Sequence, residues 1–510
     1  MEFLDFSGGI NWQDPAYKLR ANQCVYLQNF RYTDSIIETM PGSIRYHGTS
    51  LGSDPVNAIM PYYNPDNADY FLLSAVGDSI YRRYEGTGEF SSLLGALTPN
   101  SIHSHAIRNG VMYIPSTVDR MRSYLGGLTL PLVGGGSTVP PQFRHIIYMK
   151  EVDRLFGVDE KGNIYWCDLS QPEIWDGANT DRIKLQDGEI TEGVGILYGK
   201  LIIFCTYSIW IYYVSGNEEN WKLEQAPTAV GCAAPNTLRK VGSEYWFLSD
   251  SGKTDRGVYA FGGSSAKLLT KDISPLMNLI NKEKIRGCAA EYHKDLYTLS
   301  FPFGFATQND RSIDLDVLNF KEDGTPAVYG PHTVAFNCSA VLNTRDKSGE
   351  FLMGDYSDGY IYREGGTTLK STNGADGQLL EQRFLGAIHN DKKWDIMKLY
   401  NDLNVYFAPR NYFAAKLRFY LSYSSYEREK PFYPQANVSH IAGDYNIFED
   451  RVLGSPELSQ FQLRPGLDSR GVSLQVEIIN DVGAQRMAIE GYSFRSEDLY
   501  TTRKAEIYAI

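Results

Sequence analysis

The chain has 510 residues, of which 43% are hydrophobic and 22% charged, and its formal net charge is −12. This balance is typical of a soluble globular protein, and the length predicts more than one domain. The acidic excess and the lack of a long Lys/Arg run disfavour sequence-specific binding to nucleic acid. No apolar run approaches the ~20 residues of a membrane span, so no span is predicted.

The chain contains 36 Tyr, 24 Phe and 47 Gly residues, a combination that favours many short strands joined by tight turns. The first ten residues lack the basic and apolar regions of a signal peptide, so we expect the chain to fold in a cytoplasm. Six widely spaced cysteines predict reduced, mostly buried thiols, and neither disulfides nor a metal cluster: Cys24, Cys167, Cys205, Cys232, Cys288 and Cys338.

Residues 1–50 are predicted to form an N-terminal arm and a hairpin. Val25–Tyr46 shows alternating apolar residues around Asp34-Ser35 and ends at Pro41-Gly42, which is typical of two strands and a turn. Such a hairpin could complete the last sheet of a ring of sheets, and so remove an exposed sheet edge.

A strand unit then recurs, and each copy carries an apolar–tyrosine pair or a related pair. The pairs are Ile80-Tyr81, Ser123-Tyr124, Ile164-Tyr165, Ile211-Tyr212, Val258-Tyr259 and Ile361-Tyr362. Their tyrosines are 43, 41, 47, 47 and 103 residues apart, and the strand Ile313–Phe320 lies within the longest interval. A period in the forties matches one blade of a β-propeller. Residues 51–370 are therefore predicted to form an imperfect propeller of six or seven blades. The alternative is a set of unrelated hairpins with accidental spacing.

Local turn chemistry supports the repeat. Asp159–Asn163 and Asp355–Gly359 each place a glycine where a hairpin needs positive φ. One segment departs from the strand pattern, because Ser274-Pro275 predicts an N-cap and first turn for a short helix over Leu276–Lys284, with Leu276, Leu279 and Ile280 on its apolar side.

Residues 371–510 are predicted to form a C-terminal antiparallel β-sandwich. A polar, Gly-containing linker follows Tyr362, and longer alternating strands come after it: Leu399–Phe407, Lys416–Ser422, Val472–Asn480 and Met487–Phe494. Between them, Glu427–Leu463 contains prolines and several Asp, which favours either an interaction loop or a surface loop without such a role. The fold class is thus all-β, a propeller followed by a sandwich.

The sequence yields no catalytic residue, no cofactor-binding residue and no metal ligand, and no cofactor is predicted. His103 and His105 could begin a metal site, but no partner follows at ligand spacing. The glycine-rich run Gly134–Thr138 leads to prolines and not to a helix, so it predicts an inter-blade connection and no phosphate loop. No blade repeats an inward Asp or Glu at a matched position, as a glycosidase propeller would require.

Six aromatic residues fall within consecutive units and admit two interpretations. They could form an aromatic surface that binds sugar or protein, but we favour a role in filling the wedges between blades. The set is Trp166, Trp175, Trp210, Tyr213, Trp221 and Trp246.

Short motifs near both ends resemble one protein family. The N-terminal motifs are Gly8-Gly9-Ile10, Asn22-Gln23-Cys24, Leu27-Gln28-Asn29-Phe30, Glu38 and Pro41-Gly42, and the C-terminal ones are Arg470-Gly471-Val472, Gln475–Ile479 and Ile489-Glu490-Gly491-Tyr492. Their order resembles that of the tail hub, nozzle or DNA-stabilisation proteins of short-tailed bacteriophages. Some nozzle proteins are longer, with inserted domains, so this chain is similar to a compact version.

The resemblance implies a non-enzymatic structural protein of the virion, assembled in the host cytoplasm. It implies a homo-oligomeric ring, a hexamer, below the portal and adaptor proteins, which extends the DNA channel, retains the genome until ejection and anchors tail fibres, spikes or a needle. Genomic DNA would pass without sequence-specific binding, and no membrane span is implied. The alternative is a carbohydrate-binding or glycoside-hydrolysing β-propeller.

Overall fold

The fold is seen in a computed structural model, which describes residues 2–64, 68–85, 88–99, 104–135, 139–252, 254–343, 349–372, 377–390, 396–407, 415–421, 428–432, 460–461, 469–481 and 486–501. The chain divides into two compact units. One, the propeller unit, comprises residues 45–312 and 335–364; the other, the sandwich unit, comprises 1–44, 313–334 and 365–510.

The described part of the propeller unit contains seven antiparallel sheets, numbered here as blades in chain order. Their strands are Val56–Asn64, Asp69–Val76, Ser79–Tyr84 and Phe90–Leu94 (blade 1); Ala106–Arg108, Val111–Ile114 and Arg122–Tyr124 (blade 2); His145–Met149, Arg154–Val158, Asn163–Trp166 and Thr180–Arg182 (blade 3); Thr191–Leu197, Lys200–Cys205, Ile209–Tyr213 and Lys222–Gln225 (blade 4); Arg239–Val241, Glu244–Ser249, Gly257–Phe261 and Ala266–Leu268 (blade 5); Ala289–His293, Leu296–Phe301 and the start of Arg311–Phe320 (blade 6); and Cys338–Leu342, Glu350–Gly354 and Ile361–Glu364 (blade 7).

The seven blades form a closed ring. Blade 7 packs on blade 1, where the Val56 N–H donates to the Asp355 carbonyl at 2.9 Å and the Val56 carbonyl accepts from Asn337 Nδ2 at 2.8 Å. The first residues of the propeller unit extend blade 7, because the Tyr46 N–H donates to the Ile361 carbonyl at 2.8 Å. In a ring closed in this way the sheet edges that remain are short and protected.

The periodic pairs predicted from the sequence all fall on the third strand of their blade. Ile80, Ile164 and Ile361 are completely buried there, and each contributes to the apolar layer between neighbouring blades. The similar spacing of the pairs therefore reflects one structural position that is repeated around the ring. The predicted imperfect propeller is confirmed, with seven blades in the described part of the unit.

Turns were predicted more accurately than the helix. Gly162 and Gly359 both have positive φ, 83° and 62°, as the two hairpin turns require. The predicted nine-residue helix is a single α-turn, Ser274–Met277, between 3-10 turns Lys271–Ile273 and Lys282–Gly287. Ser274 is its first residue and not its N-cap, and its hydroxyl donates to the Lys271 carbonyl at 2.9 Å. Of the predicted apolar side, Leu276 and Ile280 are buried but Leu279 is 45% exposed.

Other helical turns in the described residues are short 3-10 segments, Lys150–Val152, Glu218–Asn220 and Pro235–Thr237. None of the helices in that part of the chain is long and apolar enough to cross a membrane.

The sandwich unit consists mainly of two antiparallel sheets. The first contains, in spatial order, Gln460–Phe461, Ile396–Phe407, Ala488–Thr501, Ile36–Thr39 and Phe30–Thr33, with Glu2–Phe3 and Ser469–Gly471 paired at its sides. The second contains Arg428–Phe432, Ala415–Leu421, Leu474–Asn480, Gln382–His389 and Tyr26–Gln28. Outside them lie the small pair Gly9–Ile10 and Gln23–Cys24, the end of Arg311–Phe320, and Pro326–His332; Ser43–Arg45 spans the unit boundary.

Aromatic side chains join the two sheets. Phe384 of the second sheet packs edge-on against Tyr492 of the first, with ring centroids 5.9 Å apart. The Tyr492 hydroxyl also lies 2.7 Å from His389 Nε2, so the buried phenol has a polar partner. The predicted sandwich is confirmed, and the predicted loop Glu427–Leu463 contains the strands Arg428–Phe432 and Gln460–Phe461, while the remainder of that loop lies outside the described residues.

The structural division of the chain differs from the boundaries predicted at residues 50 and 370. The hairpin of Phe30–Thr33 and Ile36–Thr39 pairs with Ala488–Ile489 in the sandwich unit, and residues 313–334 also belong to that unit. Phe30 and Ile37 are completely buried, so the apolar face of the hairpin is part of the core of the sandwich unit. Only the last residues of the predicted arm, from Arg45 onward, are part of the propeller unit.

Gly9 allows the N-terminal segment to approach residue 328 closely. Its φ is +63°, and a Cβ added there would overlap with the backbone of Val328. We therefore expect Gly9→Ala to lower the free energy of unfolding of the sandwich unit by about 1–3 kcal/mol. Gly216, with φ +66° and no neighbour within 4 Å of an added Cβ, provides the matched control. Urea titrations of both variants measure the difference; equal losses for Gly9→Ala and Gly216→Ala would contradict the close approach.

Candidate functional site: the axial cavity of the propeller

All seven blades line a cavity of about 360 Å³ at the axis of the propeller unit. The lining comes from residues on, or just before, the innermost strand of each blade. One residue from each blade in turn is Asn57, His105, His145, Gly193, Arg239, Glu291 and Ser339. Because these strands begin at the same end of the ring, the lining residues lie at a similar level along the axis of the propeller.

One ion pair lies in this lining. Arg239 Nε is 3.2 Å from Glu291 Oε1, and Arg239 Nη1 donates to the Leu238 carbonyl at 3.0 Å. These two are the only Lys, Arg, Asp or Glu residues among the described lining residues. Burial lowers the pKa of His105 to about 4, so its imidazole is neutral at neutral pH. The charges of Arg239 and Glu291 thus cancel within the cavity wall.

Two hydroxyls of the lining hold neighbouring blades together. Ser104 Oγ donates to the Arg144 carbonyl at 2.8 Å and accepts from the Ile146 N–H at 3.2 Å. Ser339 Oγ donates to the Ala290 carbonyl at 3.2 Å. Both hydroxyls therefore stabilise the ring wall and are already engaged.

Three other polar side chains of the lining make no hydrogen bond within the described chain. The Asn57 Nδ2 atom is buried and has no partner. The carboxamide of Asn236 and the imidazole of His105 likewise have no hydrogen-bond partner among the described residues. Buried polar groups in folded proteins usually have partners, so Asn57 Nδ2 is an exception, whereas the side chains of Asn236 and His105 are partly exposed.

Two arginines and two glutamates form a second charged group, here called the mouth cluster: Arg144, Arg286, Glu160 and Glu192. Two of them are next to cavity-lining residues in the sequence. Glu160 Oε1 is 2.9 Å from Arg144 Nη1 and 2.8 Å from Arg286 Nη2, and Arg286 Nε is 3.1 Å from Glu192 Oε1. Arg144 directly precedes the lining residue His145, and Glu192 directly precedes Gly193. Arg286, which precedes blade 6, thereby connects carboxylates of blades 3 and 4.

The two carboxylates of the mouth cluster have opposite pKa shifts. Burial raises the pKa of Glu192 to about 7 although Arg286 and Arg144 oppose the shift, and its side chain is only 2% exposed. Burial also acts to raise the pKa of Glu160, but hydrogen bonds and positive charge from Arg286 and Arg144 outweigh it and lower that pKa. Near neutral pH the cluster holds an ionised Glu160 and a partly protonated Glu192.

This difference predicts a pH-dependent stability. The native protein keeps a proton on Glu192 between about pH 4.5 and 7, which the unfolded chain releases. The free energy of unfolding should therefore fall as pH rises through this range, by up to about 3 kcal/mol from this group. Urea titrations at several pH values should show that the fall is absent in Glu192→Gln and present in the exposed control Glu219→Gln. Identical pH profiles for wild type and Glu192→Gln would contradict the assignment.

The residues singled out in the sequence have varied positions. His105 lines the cavity, whereas His103 and the second half of Gly134–Thr138 lie outside the described residues. The described chain contains no group of three or more His, Cys, Asp or Glu that could hold a metal ion. All six cysteines are free and buried, as predicted.

The six aromatic residues mainly fill the wedges between blades. Trp166, Trp175 and Trp246 are at most 6% exposed, and Trp210, Tyr213 and Trp221 pack against the apolar clusters that join blades 3, 4 and 5. This packing supports the wedge interpretation.

The mouth cluster and the Arg239–Glu291 pair could not be identified from the sequence. Glu160 belongs to the turn between the second and third strands of blade 3, whereas Glu192 lies on the first strand of blade 4. A search for acids at matched blade positions therefore misses them. Of these residues, Glu160 lies in the turn Asp159–Asn163 that the sequence predicts. The turn pattern does not indicate which arginines Glu160 contacts.

Neither a known family model nor a curated protein sequence matches the chain. Among solved structures, the chain is similar to YCF48 from Cyanidioschyzon merolae, with a TM-score of 0.40 and 8% sequence identity. The similarity covers 63% of this chain and 98% of that one.

Proposed function

We propose that this protein is a structural subunit of a bacteriophage tail, a nozzle or hub subunit that forms a ring below the portal and adaptor proteins. In that role it extends the DNA channel, retains the genome until ejection and anchors fibres, spikes or a needle. Catalysis is not part of the proposed role, and DNA passes without sequence-specific contacts.

The observation that carries the proposal is the structural role of the residues that resemble the tail-protein family. Gly9 makes the close approach to Val328 described above, and Gly42 has no room for a Cβ because the Thr368 backbone occupies that space. Asn29 has φ +59°, and its side chain accepts from the Thr333 N–H at 2.8 Å and donates to the Glu381 carbonyl at 2.6 Å. These motif residues thus hold three separate parts of the chain in one unit, which supports a shared architecture.

The mechanical properties of the fold also support a role in assembly. A closed propeller and a two-sheet sandwich are both stabilised by interlocking apolar layers, which makes them stiff. A ring subunit needs such bodies, because a cyclic interface joins two different patches on every copy and closes only if their geometry is constant.

The genes beside the coding sequence provide the first test. A tail subunit is expected to be encoded close to portal and terminase genes, because virion genes are grouped. A neighbourhood of metabolic or surface-glycan genes, with no virion gene, would contradict the proposal.

Assembly behaviour provides the second test. We expect the free protein to be monomeric or weakly associated, and to form a ring only when a preassembled portal–adaptor complex is added. Native mass spectrometry of the free protein and electron microscopy of the mixture measure both states. A stable hexamer of the free protein, or no binding to the portal–adaptor complex, would count against this assembly route.

One observation favours the alternative of a glycoside-hydrolysing propeller. Glu160 and Glu192 lie at one end of the channel with pKa values shifted in opposite directions, as an acid and a carboxylate partner require. Both are bound to arginines, however, which competes with such a role. Hydrolysis of aryl glycosides by the wild type, lost in Glu192→Gln and kept in Glu219→Gln, would establish the alternative.

A further inference from the structure

We propose that the axial cavity is a binding site for a small, uncharged ligand rich in hydroxyl groups, of the size of a monosaccharide. The inference rests on the lining of the cavity alone and does not depend on the role in a phage tail.

Size and rigidity favour a small-molecule site. The volume of about 360 Å³ falls within the roughly 300–1,000 Å³ that is usual for small-molecule sites. All seven blades contribute to the wall, and the Ser104 and Ser339 hydroxyls connect adjacent blades there. A preformed wall reduces the ordering that a ligand must otherwise impose.

The unsatisfied polar side chains indicate what the ligand offers. The side chains of Asn236 and His105 are partly exposed and make no hydrogen bond within the described chain, so both are available to a ligand. A carboxamide and a neutral imidazole both donate and accept. A hydroxyl has the same dual capacity, so two hydroxyls on one ligand would satisfy both side chains.

The charges of the lining argue against an ionic ligand. Arg239 and Glu291 neutralise each other at 3.2 Å, and a charged ligand would have to break that pair or remain without a counterion. A neutral diol can instead accept from the guanidinium and donate to the carboxylate while the pair stays intact.

Saturation-transfer NMR and calorimetry with the full-length protein test the inference. The probes are glucose, galactose, mannose and N-acetylglucosamine, with glucuronate and glucosamine as charged analogues of the same size. We expect at least one neutral sugar to bind with a millimolar or lower Kd, and the charged analogues to bind more than tenfold more weakly.

Substitutions of cavity-lining residues test whether the sugar binds in the cavity. Asn236→Ala and His105→Ala should each weaken the neutral sugar about fivefold, because each removes one hydrogen bond. Asn217→Ala, which changes an exposed asparagine whose side chain forms no cap bond, should leave Kd unchanged. The isosteric variant Asn236→Asp adds a negative charge to the cavity wall, so it should bind the cationic glucosamine more tightly than the wild type does. This variant tests the site even if an alanine variant fails to fold.

Three outcomes would overturn the inference. These are no binding of any neutral sugar at millimolar concentration, tighter binding of a charged analogue by the wild type, or a Kd that is the same in folded Asn236→Ala and His105→Ala as in the wild type.

Discussion

Phe204→Ala is expected to lower the free energy of unfolding of the propeller unit by about 3–5 kcal/mol. Phe204 lies on the second strand of blade 4 and is completely buried. Its ring centroid is 5.5 Å from that of Tyr245, 5.2 Å from that of Phe247 and 6.2 Å from that of Phe261, all on blade 5. Alanine would leave a cavity in the layer that joins these two blades.

The surroundings of Phe204 limit how far this cavity can collapse. A Cβ at Gly195 would overlap with the Tyr245 ring, and the Tyr245 hydroxyl accepts from the Ile196 N–H at 3.0 Å. Tyr245 is therefore held from two sides and cannot move into the space that Phe204 vacates. Residual cavity volume is the main source of the largest losses in such substitutions.

Phe305→Ala is the matched control, because Phe305 is 100% exposed in the same unit. Its effect should stay within about 0.5 kcal/mol. Urea unfolding followed by circular dichroism measures both variants. A loss below about 1 kcal/mol for Phe204→Ala would show that the layer between blades 4 and 5 contributes less than its packing indicates.

Asp314→Ala is expected to destabilise the sandwich unit by about 3–5 kcal/mol, because it removes one partner of a buried ion pair. Asp314 Oδ2 lies 2.9 Å from Arg31 Nε, with side-chain exposures of 0% and 15%. The pair connects the N-terminal hairpin to the strand Arg311–Phe320. Without the carboxylate, the largely buried guanidinium loses the counterion it binds there.

A neutral histidine completes this group. His332 Nδ1 accepts from the Asn29 N–H at 3.1 Å, so its proton is on Nε2, 3.6 Å from Asp314 Oδ2. Burial lowers the pKa of His332 to about 4, although Asp314 opposes the shift. Neutral His332 therefore provides no positive charge in place of Arg31, and the charge of Asp314 is balanced at this site by Arg31.

Two comparisons make the Asp314 experiment specific. Asp314→Asn keeps an acceptor for Arg31 and removes only the charge, so it should lose less stability than Asp314→Ala. Glu322→Ala breaks the exposed pair with Arg20, whose atoms are 3.6 Å apart, and should change stability by less than about 1 kcal/mol. Urea titrations that give Asp314→Ala and Glu322→Ala the same small effect would contradict the buried pair.

Local patterns in the sequence were sufficient for the fold class. Ile80, Ile164 and Ile361 recur because the third strand of these blades presents an apolar side chain to the neighbouring blade. The sequence also shows alternation of period two and glycines at turn positions, such as Gly162. Both signals depend on only a few neighbouring residues, so they can be recognised in the sequence. The presence of a propeller and of a sandwich follows from such local signals.

Contacts between distant segments were decided by tertiary structure. The hairpin of residues 30–39 could have completed a propeller blade, but it pairs with Ala488 and Ile489, and its apolar residues Phe30 and Ile37 are buried in the sandwich unit. Arg286 meets Glu160 and Glu192 only because ring closure brings blades 3, 4 and 6 to one axis. Neither arrangement has a local signature, since the pairing of remote surfaces depends on their shape and charge after the sheets have formed.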